Sequence, residues 1–160
     1  MKIRKLIVAS HGTTGARAAE ESALELCAGY GASLHQLLVI PDFWKGMMGD
    51  DWLNNAVTQA RFGKYVENQL AREAADEIDR LAGRAAELGV PYSEELRLGK
   101  PAQCLLAACQ VGGFDMAVIG APRPKGQTGL RSRMNVEILT RSLSARLLII
   151  PHPDQCQINE

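Results

Sequence analysis

The residues best placed to do chemistry follow a short apolar run, Met116-Ala117-Val118-Ile119, that ends at Gly120. Past it the chain reads Ala121-Pro122-Arg123-Pro124-Lys125-Gly126-Gln127-Thr128-Gly129 and continues to Arg131, Ser132, Arg133, Met134 and Asn135. A buried strand stopped by glycine is where α/β proteins present backbone N–H groups to a phosphate. Here bulky cations and prolines stand where small residues would let the backbone close on an anion. An arginine in such a loop has two possible effects. It fills the space that glycine would leave open, or it takes the anion itself through its guanidinium fork.

Charge is concentrated in the same region. Between Ala121 and Arg146 the cations are Arg123, Lys125, Arg131, Arg133, Arg141 and Arg146, and the one acidic residue is Glu137. This is either an electrostatic footprint for a nucleotide or other polyanion, or a solvated face balanced by the acidic segment after Val66. No nucleic-acid recognition motif accompanies it.

The remaining reactive residue types give less. His11 lies just past the first apolar run, but the sequence nominates neither a nucleophile nor an orienting carboxylate for it, so it reads as a loop or pocket histidine. His35 and His152 have no metal-ligand spacing with any cysteine. Cys27, Cys104, Cys109 and Cys156 form no Cys-x-x-Cys pair. Cys104 and Cys109, five apart on a helical pattern, read as small core or half-buried residues. Reduced thiols of this kind fit a cytoplasmic protein.

A succession of strands and helices holds these residues. The chain's 160 residues suit one domain, taken as 1–151, with a polar tail at 152–160. The 18 Lys and Arg residues balance the 18 Asp and Glu residues, which speaks against a dedicated nucleic-acid binder. Leu6 to Ala9 is too short for a signal peptide, and no run approaches a membrane span. Lys5 to Ala9, Leu34 to Ile40, Tyr92 to Leu98, Met116 to Ile119 and Leu147 to Ile150 read as five strands. Helical spacing links Ala16, Ala19, Ala23, Leu26 and Tyr30, with Gly29 and Gly31 ending that helix. A second stripe runs from Val66 through Leu70, Ala74, Ile78, Leu81 and Ala85 to Leu88. Pro101 opens a helix that buries Leu105 and Ala108 and stops at Gly112-Gly113. Asn135 to Leu143 forms the last helix. Residues 42–65 make a long connection that holds five of the eight aromatic residues: Phe43, Trp44, Trp52, Phe62 and Tyr65. It is a lid, a contact for a protein partner, or a helical insertion completing the core. Strands alternating with helices imply a parallel sheet with right-handed crossovers.

In this order the chain resembles the universal stress protein family over nearly its whole length. The resemblance rests on the first strand followed by Gly12-Thr13, the helix with Ala19, Ala23 and Leu26, and Gly99-Lys100-Pro101-Ala102 before a helix. It also rests on Phe114-Asp115-Met116-Ala117-Val118-Ile119-Gly120, and on Glu137 followed by Leu147-Leu148-Ile149-Ile150. It implies a single doubly wound open sheet of five parallel strands, ordered 3-2-1-4-5, with helices on both faces and a homodimer along the last strand.

ATP-binding members of that family carry a loop spaced Gly-x-x-Gly, then nine intervening residues, then Gly-Ser or Gly-Thr. In this chain Gly120 fills the first position, Arg123 the second, and Arg133-Met134 the last pair. His11 stands where such members have an aspartate. By resemblance the nucleotide or anion edge comprises Ala9, Ser10, His11, Val39, Ile119, Gly120, Pro122, Arg123, Arg133, Met134 and Asn135. The expected function is a small cytoplasmic stress-response protein, dimeric, that acts by binding rather than catalysis, with its ATP site altered or lost. A nucleotide sensor for ATP or AMP, using the loop from Gly120 to Asn135, is the alternative. A nucleotide hydrolase or transferase on the same scaffold comes next, set back by the lack of paired carboxylates, a nucleophile–base pair or a metal cluster near the loop. No cofactor is firmly implied; ATP, AMP or another anion is the candidate. The reading includes no metal and no membrane.

Overall fold

The computed structural model describes residues 2–10, 14–40, 72, 75–98, 100–121 and 135–151. In chain order the elements are β1 (Lys5–Ser10), α1 (Thr14–Tyr30), β2 (Ser33–Ile40), a helix at 75–88 (α2), β3 (Tyr92–Leu98), α3 (Pro101–Gly112), β4 (Met116–Gly120), α4 (Val136–Ser142) and β5 (Arg146–Ile150). The strands form one sheet in the order β3-β2-β1-β4-β5, and every neighbouring pair is parallel. That is the expected doubly wound arrangement.

The apolar strands are continuous because both faces of the sheet are covered. Side chains alternate, so each strand serves two cores. Leu6, Val8, Leu34 and Val118 pack against α1 and α2 through Ala19, Ala23, Leu24, Leu81 and Ala85. Ile7, Ala9, Leu37, Val39, Ala117 and Ile119 pack against α3 and α4 through Ala102, Leu105, Ala108 and Leu139. The small residues Ala16, Ala19 and Ala23 let α1 lie close to the strands beneath it.

Two helix stripes differ from the sequence reading. In α1 the buried line runs through Ala16, Ala19, Ala23, Leu24 and Cys27, whereas Leu26 is half-buried and Tyr30 is exposed. The helix passes Gly29 and stops at Tyr30, where Gly31 takes a left-handed φ of 67°. In α2, Leu81 and Ala85 are buried but Leu88 is exposed. Tyr30 and Leu88 are the last residues of their helices. Pro101 occupies the first turn of α3 as expected, and Gly113 caps its end with φ 63°. Val66, Leu70, Ala74, the 42–65 connection and the 152–160 tail lie outside the described residues.

The two edges of the sheet are unlike. β3 carries Glu94, Glu95 and Arg97 along its length. β5 is Arg-Leu-Leu-Ile-Ile, with Ile149 exposed and its other apolar residues half-buried.

Candidate functional site

The strand order reverses between β1 and β4, since β1 is joined to β2 on one side and to β4 on the other. In open α/β sheets a crevice forms at the carboxyl ends of strands flanking such a point. Leu6, Ile7 and Val8 pair with Met116, Ala117 and Val118, so Ala9 and Ser10 end beside Ile119 and Gly120. Ala9, Ser10, Val39, Ile119 and Gly120 are all buried. Val39 lies across β1 from β4, in the core against α3. The Ala121 N–H donates to the Ile150 carbonyl at 2.8 Å, extending the β4–β5 ladder one residue past the strand. Asn135 is the N-cap of α4, its Oδ1 accepting the Ile138 N–H at 3.3 Å. His11, Pro122, Arg123, Arg133 and Met134 lie outside the described residues.

Beneath this edge, on the α1–α2 face, stands a polar network that sequence reasoning did not find. Ser10 Oγ donates to Glu20 Oε1 at 2.6 Å and accepts from Gln36 Nε2 at 3.3 Å. Tyr92 donates to Gln36 Oε1, and Arg80 donates to Glu20 Oε2. Glu20 is only 1% exposed, and Gln36 is fully buried. Arg80 and Arg17 also bind Glu77, each at 2.9 Å. Burial pushes the Glu20 carboxyl above the usual carboxylate range, against the opposing hydrogen bonds of Ser10 and Arg80. At the half-buried Glu77 burial also acts upward, but the hydrogen bonds of Arg80 and Arg17 prevail and hold it below that range.

The Ser10 side chain is therefore committed to the brace between α1 and α2. Its contribution at the carboxyl edge is backbone. The signal in the sequence was a glutamate on the small-residue face of α1: Glu20 follows Ala19 in the line of Ala16 and Ala23, where a charge must be paired.

The buried thiols Cys27 and Cys109 have little reactivity to offer. Burial pushes Cys27 and Cys109 up to about 11, which keeps both protonated at neutral pH. Cys27, Cys104 and Cys109 form no disulfide. Among the described residues no three His, Cys, Asp or Glu side chains gather as metal ligands, and no helix is long and apolar enough to cross a membrane.

No protein-family model matches the sequence, and no curated protein does. Solved structures match over the whole domain. A universal stress protein family structure from Burkholderia pseudomallei is 22% identical, with 93% of this chain and 96% of that one aligned at a TM-score of 0.68. Universal stress protein UspA from Lactobacillus plantarum aligns over 94% and 99% of the two chains, at 16% identity and a TM-score of 0.74. The chain has the fold of the universal stress proteins. A universal stress protein family member from Arabidopsis thaliana, solved with AMP bound, aligns over 95% of this chain and 94% of that one at 13% identity, with a TM-score of 0.64. The universal-stress fold thus agrees with the resemblance read from the sequence, in strand order and in extent.

Proposed function

We propose that this chain is a universal-stress-type protein that acts in stress response by binding at the β1–β4 carboxyl edge, without turnover there. The observation that carries the reading is the convergence of Ala9, Ser10, Ile119 and Gly120 at the one point where the strand order reverses. In this reading Arg123 and Arg133 stand at the glycine positions of the nucleotide loop and close the usual ATP site. The protein is cytoplasmic and works as a homodimer through Leu147 to Ile150, and the 42–65 connection meets a protein partner.

A second reading keeps the edge as a nucleotide sensor, with a base against the backbone near Val39 and phosphates between Gly120 and Asn135. It is favoured by the AMP-bound relative of the same fold. One experiment separates the two. Protein purified natively is denatured, its supernatant is assayed for released nucleotide, and the refolded chain is titrated calorimetrically with ATP, AMP and cyclic nucleotides. The closed-site reading expects no stoichiometric nucleotide and no ATP binding. It also expects the double variant Arg123→Gly with Arg133→Gly to gain ATP affinity. Tightly held ATP in the native protein would select the sensor instead, and no gain in the double variant would place the block elsewhere in the loop.

A further inference from the structure

Toward the opposite end of the sheet, on the α3 face, the parallel register assembles a second polar group from residues far apart in the chain. His35, the third residue of β2, pairs with Ser93 of β3, and Glu95 follows two residues later on the same face. His35 Nδ1 stands 2.7 Å from Ser93 Oγ, and its Nε2 stands 3.2 Å from Glu95 Oε2. One neutral tautomer satisfies both contacts: Ser93 donates to Nδ1, and the Nε2–H donates to the carboxylate. Phe114 stacks on the imidazole with centroids 5.2 Å apart and planes 24° from parallel, so the ring is fixed on three sides.

The carboxylate stays ionised in this setting. Burial pushes Glu95 up, but the hydrogen bonds from His35 and Arg97 prevail and hold it below its usual range. A cavity of about 290 Å³ opens beside the group, lined by Lys5, Ser93, Glu95, Arg97 and the exposed Val111 among others. Lys5 and Arg97 against Glu95 give the lining an excess of positive charge.

A hydroxyl, a base within reach of its proton and a carboxylate orienting that base are the three parts of an activated serine. Ser93 is exposed to solvent, so its oxygen can be reached. We propose that Ser93, His35 and Glu95 form a nucleophilic serine site for small carboxylic esters bearing a negative charge. Ser93 Oγ bonds to the carbonyl carbon while its proton passes to His35 Nδ1. The tetrahedral adduct then breaks the bond from carbon to the alkoxy oxygen, and His35 returns the proton to the departing alcohol. Water attacks the acyl-serine, His35 takes its proton and delivers it to Ser93 Oγ, and the acid leaves. Lys5 and Arg97 are the cations of this cavity that attract the substrate's anionic group. The site is independent of the β1–β4 edge and of any nucleotide reading there.

The test uses the full chain with the mono-4-nitrophenyl ester of terephthalic acid, whose carboxylate cannot reach its own ester carbonyl, following nitrophenolate release and the mass of the intact protein. A 4-carboxybenzoyl adduct is expected, mapped to the peptide carrying Ser93. Ser93→Ala should remove that adduct, and Ser93→Ala and His35→Gln should each slow release about 100-fold, both with an unchanged circular dichroism spectrum. Uncharged 4-nitrophenyl benzoate should react more slowly than the charged ester. Adducts on lysines alone, with Ser93→Ala releasing nitrophenolate as fast as the parent chain, would overturn the proposal. Equal rates for the two esters would overturn the preference for an anionic substrate.

Discussion

Arg80 reaches a carboxylate that has almost no contact with water. Glu20 is 1% exposed and accepts hydrogen bonds from Ser10 and Arg80. Arg80→Ala would leave Ser10 as its hydroxyl donor and remove the positive charge. Breaking a fully buried ion pair costs on the order of 3–5 kcal/mol. The Arg80 side chain is itself 36% exposed, so a loss of about 2 kcal/mol is expected at pH 7. The sign of the pH dependence follows from linkage. Without Arg80 the folded-state pKa of Glu20 rises further above its unfolded value, so the native state binds more protons than the unfolded one. Stability of the variant therefore rises as pH falls from 7 toward 5, and its deficit against the parent shrinks. Urea unfolding at the two pH values measures this. A deficit that does not change would mean that Arg80 contributes packing rather than charge.

At the scale of elements, the end of α3 separates two kinds of glycine. Gly113 has φ +63° with open space around it, so Gly113→Ala meets only conformational strain and should cost about 1 kcal/mol. Gly112 is different, because a Cβ there would run into the Phe114 ring. Gly112→Ala should push that ring off His35 and lower the ester reactivity of Ser93, whereas Gly113→Ala should lower the melting temperature alone. Melting curves and nitrophenolate release on both variants check the distinction. β1, β4 and β5 were legible as apolar runs, and the ends of all five strands fell within a residue of the observed ones, the usual uncertainty at element termini. The His35 cluster was not legible. Its partners lie 58 and 60 residues away, and strand register alone brings them into contact. Glu20 was missed for a related reason: its need for a partner is visible locally, but Arg80 stands 60 residues on.

For the whole molecule, the parallel sheet with its two-sided core could be read in advance because the chain alternates strand and helix, while the strand order came with the resemblance to the universal stress proteins. The candidate edge was legible in part. Ala9, Ser10, Ile119 and Gly120 meet as the order of strands requires, while Arg123 and Arg133 lie outside the described residues. If two copies pair through β5, folding and association are linked, and the melting temperature should rise with protein concentration. Ile149→Glu should abolish that rise and give a monomer by sedimentation. A concentration-independent melting temperature in the parent chain would rule out the pairing.

The contrast between the sheet's edges has a consequence for how the chain must be handled by a cell. β3 is protected by its charges, which deter another strand from docking. The Leu-Leu-Ile-Ile run of β5 has no charge within it and is flanked by Arg146 on one side and Pro151 on the other. If a second copy covers β5, newly made chains still waiting for it are the ones open to cross-β growth, and the danger scales with how many wait at once. Rapid synthesis would then be the condition in which this edge is most hazardous, and a quick cover would be worth more to the chain than a tight one.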